Sequence, residues 1–296
     1  MTSEIKHQQI TLSGFGRELI DLDISGLDDT DREMILDQYH DSGGLLLIRN
    51  QNHLPPVALC DFVSKFGRVE QNTKYNPNFL LSGHPEILKI GNVKDKGEYT
   101  ALFIQADPPP LLWHTDDSFR HPQPIGSCLY CVNTPPDGGE TGFAGMTAAY
   151  ESLTLEMQSK VESLTAVHSY NHLNEMLRKK NPHRPPLSEE LKRDLPPIKR
   201  PLVAQHPETG RKALYIPLCH IEKLVEMDEN ESRELLEGLL EHATQIEFVY
   251  FHKWRPGDLV IWDNRAALHA PSPFDDDKYT RFMYRLTFSG EQVVGF

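Results

Sequence analysis

A chain of 296 residues with 39% hydrophobic and 25% charged residues can bury a large core, which excludes a disordered or low-complexity protein. Its net charge of −13 argues against nucleic acid as a partner, because duplex binding depends on clustered Lys and Arg that displace counterions. Residues 1–12 are polar and no 18 consecutive apolar residues occur, so the expectation is no membrane partner and a cytoplasmic protein.

Residues 28–42 set Met34, Ile35, Leu36 and Tyr39 among charged neighbours and run into Gly43-Gly44, the pattern of an amphipathic helix with a glycine stop. A buried strand is expected at 45–49. A second helix follows at 57–66, after Pro55-Pro56, where a missing N–H costs little. Strands are expected at 86–90 and 127–132. The second holds Cys128 and Cys131, formally a C-x-x-C pair. Residues three apart in a strand point to opposite faces, so these read as buried structural thiols and not as half of a zinc site. A third helix is expected at 147–164 and a strand at 166–170.

The stretch 171–200 is polar, basic and rich in Pro, and reads as an insertion or lid on a single domain spanning 1–296. Within it, Arg178-Lys179-Lys180 is expected on a solvated loop. Strands at 202–205 and 213–216 lead to a helix at 229–243, marked by the stripe Leu235, Leu236, Leu239, Leu240 and Ala243. Strands at 246–251, 258–262 and 282–288 complete the chain. Many short strands punctuated by Pro and Gly, with helices between them, indicate a mainly β fold with flanking helices, and a double-stranded β-helix (jelly roll) core fits.

His114 and Asp116 are two apart, so in an extended segment both can face one ion. A third ligand must come from elsewhere, and His269 stands just beyond an apolar strand at the start of a Pro-containing loop. Two imidazoles and a carboxylate can occupy one face of iron(II) and leave the other open. The same donors could serve a zinc hydrolase, and a metal-free jelly-roll binding protein is a further alternative. For Arg281, the local sequence favours a surface ion pair with Asp275, Asp276 or Asp277. An anionic small substrate would need a cation inside the pocket of so acidic a protein, and Arg285 is the candidate.

Five segments appear in order: Leu-Trp-His-Thr-Asp-Asp-Ser-Phe (112–119), Pro-Pro-Asp-Gly-Gly-Glu-Thr-Gly-Phe (135–143), Trp-Arg-Pro-Gly-Asp-Leu-Val-Ile-Trp-Asp-Asn-Arg (254–265), His269, and Arg281 with Arg285. Together they closely resemble the taurine dioxygenase/2,4-D dioxygenase family of iron(II)- and 2-oxoglutarate-dependent oxygenases. Residues 239–245, 247–250 and 262–265 look more like the 2,4-D branch, which favours a carboxylate substrate.

The resemblance implies that His114, Asp116 and His269 bind iron and that Thr141 and Arg281 hold 2-oxoglutarate. It further implies that Arg285 pairs with the acidic group of the substrate, with Asn72 and Tyr75 lining the pocket. 2-Oxoglutarate and O2 would be co-substrates, succinate and CO2 products, and a small anionic organic molecule the partner. Its C–H bond would be hydroxylated, with cleavage following where that carbon adjoins an ether oxygen or nitrogen. Sulfonates, alkylsulfates and N-alkyl amino acids are the alternative substrates, and a homo-oligomer, dimer or tetramer, is the family habit.

Overall fold

The computed structural model describes residues 5–102, 111–181 and 183–290. Two short strands, β1 (His7–Gln9) and β2 (Arg17–Leu19), precede α1 (Asp29–Asp41). Asp28 starts that helix by accepting from the Asp31 amide, while the Asp31 carboxylate accepts from the Asp28 amide. Beyond its end, Gly44 has φ +83°, and an added Cβ there would lie 2.5 Å from Asp263 Cβ, so the turn has room only for glycine. Next come β3 (Leu45–Ile48), α2 (Pro56–Val63), β4 (Arg68–Val69), β5 (Leu80–Leu81), β6 (His84–Gly91) and a small hairpin of β7 (Lys94–Asp95) with β8 (Glu98–Tyr99).

The middle of the chain forms β9 (Gly126–Asn133), β10 (Thr141–Gly145), α3 (Met146–Glu151), α4 (Leu155–Glu162), β11 (Thr165–His168), α5 (Tyr170–Lys180), α6 (Glu189–Asp194) and β12 (Ile198–Pro201). The last part adds β13 (Val203–Gln205), β14 (Lys212–Leu214), β15 (Ile221–Leu224), α7 (Glu229–Ala243), β16 (Val249–His252), β17 (Leu259–Asp263), β18 (Ala267–Pro271) and β19 (Phe282–Ser289).

A large sheet runs β1-β2-β3-β17-β9-β19-β6-β5, with β4 on β19, and a smaller one runs β16-β10-β18. Successive residues of the large sheet serve two cores. Leu45, Leu47, Val260 and Trp262 join Phe143 and Ala267 of the small sheet, whereas Leu46, Ile48 and Ile261 pack against Ile35 and Tyr39 of α1 and Leu59 and Phe62 of α2. Strands covered on both faces must be apolar throughout, which is why all four residues of β3 are buried. Two sheets, antiparallel except where β2 joins β3, lie face to face with helices outside and form the jelly roll expected. A third core lies beneath α7, whose Leu236, Leu239 and Ala243 pack with Val161, Ala166 and Leu224.

Cys128 and Cys131 are buried in different cores, and burial pushes the Cys131 thiol up to about 12. They are inert thiols on opposite faces of β9, as their spacing requires. Among the described residues, no helix is long and apolar enough to cross a membrane.

Three expectations need correction. The helix at 147–164 is two helices, because Thr154 accepts from the Met157 amide and starts α4 anew. Residues 171–200, expected as an insertion or lid, hold regular elements: Ser169 caps α5, Ser188 caps α6, and β12 pairs with β11. Arg178, Lys179 and Lys180 therefore occupy the last turn of α5, where cations complement the helix dipole, and not a loop. The strand expected to reach Tyr170 stops at His168, since Tyr170 already belongs to α5.

Candidate metal centre

β18 sets His269 opposite His114, and the two exchange backbone hydrogen bonds of 2.9 and 2.7 Å, so their side chains leave the backbone together with ring centroids 4.1 Å apart. Asp116, two residues beyond His114, brings Oδ1 to 3.9 Å from His269 Nε2. The three donor atoms all lie within 4.8 Å of one another. A carbonyl can only accept, so the 2.9 Å contact between His114 Nδ1 and Leu112 O fixes the proton on Nδ1 and leaves Nε2 bare. Asp116 Oδ2 accepts from the Ser127 hydroxyl at 2.6 Å, which turns Oδ1 toward the histidines. Asn264 in turn donates to Ser127 and accepts from Trp262 and the Asp116 amide.

The protonation states suit a cation. Burial alone would favour neutral Asp116, but Arg285, His269 and His114 outweigh it and hold the carboxyl well below the usual range. Burial, reinforced by His114, pushes His269 down to about 3. At neutral pH a metal would meet an ionised carboxylate and a neutral imidazole, with no proton to displace. The donor set therefore fits a divalent ion with one open face.

A second site lies alongside. Arg281 donates from Nε to Gly139 O at 2.9 Å and from Nη2 to Thr141 Oγ1 at 3.2 Å. Trp254 Nε1 also donates to Thr141 Oγ1, at 3.0 Å. Two donors on one hydroxyl oxygen leave the Thr141 proton to give away. Among the described residues no carboxylate pairs with Arg281, and the local alternative of an ion pair with Asp275, Asp276 or Asp277 is not formed. Gly139 adopts φ +69°, and a Cβ there would approach Arg281 Cδ to 3.3 Å. An unneutralised guanidinium beside an available hydroxyl proton is a receptor for a carboxylate.

Arg285, on β19, places Nη1 3.6 Å from Asp116 Oδ1, and its Nε is buried without a hydrogen-bond partner. Burial opposes its charge, but Asp116, then Tyr75 and Asp117, keep it protonated. Tyr75 thus belongs to its surroundings. Asn72 is buried, with its amide nitrogen on Glu86 O at 2.7 Å and its carbonyl accepting from the Tyr75 amide, so it shapes the turn that delivers Tyr75. Asp117, at φ +50°, is clasped by Lys74 at 3.1 Å and Arg120 at 2.6 Å.

Sequence reasoning missed the supports of the site. Ser127 carries no local signal, while Gly139, Trp254 and Asn264 stand inside the quoted segments without a role. His220 was also missed. Burial first, then the charge of His114, pushes it down to about 3, and its Nδ1 meets the Ser118 hydroxyl at 2.7 Å. Arg200 of β12 donates to the carbonyls of Ser118 and Arg120, so the end of the 171–200 stretch grips the loop behind Asp116.

A jelly roll that assembles two imidazoles, one carboxylate and an adjoining carboxylate receptor has the parts of a non-haem metal oxygenase. The chain belongs to the taurine catabolism dioxygenase TauD, TfdA family, whose model matches residues 6–287. It is 36% identical over 244 residues to the alpha-ketoglutarate-dependent 2,4-dichlorophenoxyacetate dioxygenase of Cupriavidus pinatubonensis, covering 81% of this chain and 83% of that protein. Identity is also 36%, over 241 residues and 78% of each chain, to pentalenolactone F synthase of Streptomyces arenae. The fold matches the crystal structure of AAD-2 in complex with Mn(II) and N-oxalylglycine with a TM-score of 0.78 and 29% identity, covering 99% of both chains.

Proposed function

We propose that His114, Asp116 and His269 hold iron(II), that Arg281 and Thr141 bind the distal carboxylate of 2-oxoglutarate, and that Arg285 with Tyr75 receives the anionic end of the substrate. The protein is an iron(II)- and 2-oxoglutarate-dependent dioxygenase, consuming 2-oxoglutarate and O2 and releasing succinate and CO2. The observation that carries the assignment of residues is the pairing of Arg281 with Thr141 beside the three donors. A zinc hydrolase would have no use for it.

When bound, iron with its co-substrates supplies the oxidant for a C–H bond. The chain's own residues do the positioning. Leu112 O fixes the His114 tautomer, Ser127 orients Asp116, and Arg285 holds the substrate by its charge so that one C–H bond lies closest to the centre. The cation at Arg285 suits an anionic group, and the likeness to a 2,4-dichlorophenoxyacetate dioxygenase favours a carboxylate such as an aryloxyalkanoate. Hydroxylation beside its ether oxygen would release a phenol.

Anaerobic addition of iron(II) and 2-oxoglutarate is expected to give a weak visible charge-transfer band, and its absence would remove the assignment. Succinate release across aryloxyalkanoates, sulfonates, alkylsulfates and N-alkyl amino acids then identifies the substrate class. Fastest turnover with a sulfonate would overturn the carboxylate reading.

A further inference from the structure

We propose that Cys60, His84 and Glu86 form a second metal site, for one Zn2+ ion, that pins α2 to the start of β6. The thiol, imidazole and carboxylate donor atoms lie within 4.8 Å of one another, and all three residues are half-buried. Cys60 comes from the middle of α2, while His84 and Glu86 stand two apart in β6 and therefore project to one side of that strand. The hairpin turn into β6 uses Gly83 at φ +79°, which delivers His84 directly after the reversal.

The donors are also uncommitted. Among the described residues, no ion pair engages His84 or Glu86. Gln71 Nε2 donates to Glu86 Oε1 at 2.8 Å, which steadies the carboxylate and leaves its other oxygen available. Bonds of about 2.0–2.3 Å in a tetrahedral zinc site separate the ligands by roughly 3.5 Å, so side-chain rotation closes the remaining distance. Half-burial leaves the fourth position to water.

Donor chemistry selects the ion. A sulfur and an imidazole are poor partners for Mg2+ or Ca2+, whereas a thiolate, imidazole and carboxylate together suit Zn2+. The Cys60 thiol is pushed up to about 11 by burial and by the nearby Glu86 and Asp61 carboxylates. It therefore carries its proton at neutral pH, and zinc binding would release that proton to solvent. Glu86 also accepts from Asn72 through its backbone carbonyl, so an ion fixing Glu86 would steady the turn leading to Tyr75.

The sulfur donor separates this site from the His114–Asp116–His269 centre, which has none. Titrating the metal-free full chain with Co2+ under anaerobic conditions should give a near-ultraviolet thiolate-to-cobalt charge-transfer band that saturates by two equivalents, and at one equivalent in a chain whose His114–Asp116–His269 centre is disabled. The band should persist in Asp116→Ala, disappear in Cys60→Ser, and require more than roughly tenfold higher cobalt in His84→Gln. Zinc content after equilibration should fall from two equivalents to one in Cys60→Ser. A wild-type chain without the band, or a Cys60→Ser chain that keeps it at full intensity, overturns the site. If Cys60→Ser does not fold, unchanged cobalt affinity in His84→Gln does the same.

Discussion

Replacing Arg281 with Met separates two roles that the local sequence leaves confounded. Burial pushes the guanidinium down to about 10, so its folded-state value lies below the unfolded one. For a cation this is a penalty, present in full below pH 10 and relieved only above it. The displacement corresponds to about 3 kcal/mol. Against it stand the bonds to Gly139 O and Thr141 Oγ1, each about 1.5 kcal/mol for a charged donor. The terms offset, so Arg281→Met should change the unfolding free energy of the ligand-free protein by less than about 1 kcal/mol. Binding of 2-oxoglutarate behaves differently, because losing one partner of a buried charge pair costs about 2–4 kcal/mol, or roughly 30- to 1,000-fold in Kd. Urea unfolding measures the first quantity, and anaerobic titration of the iron(II) protein with 2-oxoglutarate measures the second. A loss of more than about 3 kcal/mol in stability with unchanged 2-oxoglutarate affinity would make Arg281 a structural residue and refute the reasoning.

Asp116→Ala removes the only carboxylate of the three donors and leaves Arg285 without its nearest anion, so iron binding and succinate formation should both be lost; normal turnover would count against the centre. Arg285→Ala should raise the KM for the anionic substrate by roughly 30-fold or more while leaving 2-oxoglutarate affinity within about threefold, which steady-state kinetics varying each compound would resolve. Asp263 is buried and bonded to Arg265 at 2.9 and 2.6 Å and to His206 at 2.9 Å. Burial opposes its ionisation, but Arg265 and His206 prevail and hold it below the usual carboxylate range. Its stabilisation is therefore present above the ordinary value of 3.8 and disappears as pH falls. Asp263→Asn should lose about 3–5 kcal/mol at pH 7 and show a shallower fall in stability from about pH 4 downward, followed by urea midpoints across that range.

Much of the architecture was readable because short-range pattern carries it. Four apolar residues at 45–48 announce a strand covered on both faces, and the leucine stripe at 235–240 announces α7. Misreadings arose where two local signals competed. In 147–164 the apolar spacing continued, but Thr154 supplied a capping hydroxyl that starts a new helix. In 170–180, charge and neighbouring prolines concealed the spacing of Leu173, Met176 and Leu177, although Ser169 offered the cap.

By itself the chain determined which residues could bind a metal: the two-residue spacing of His114 and Asp116 places both on one side of an extended segment wherever that segment lies. Only the tertiary structure decided that His269, 155 residues away, pairs backbone to backbone with His114, and that Arg281 turns to Thr141 and not to the aspartates beside it. Local periodicity records which way a side chain points. Which strands become neighbours depends on burying two apolar sheet faces against each other, a condition that no short stretch of sequence contains.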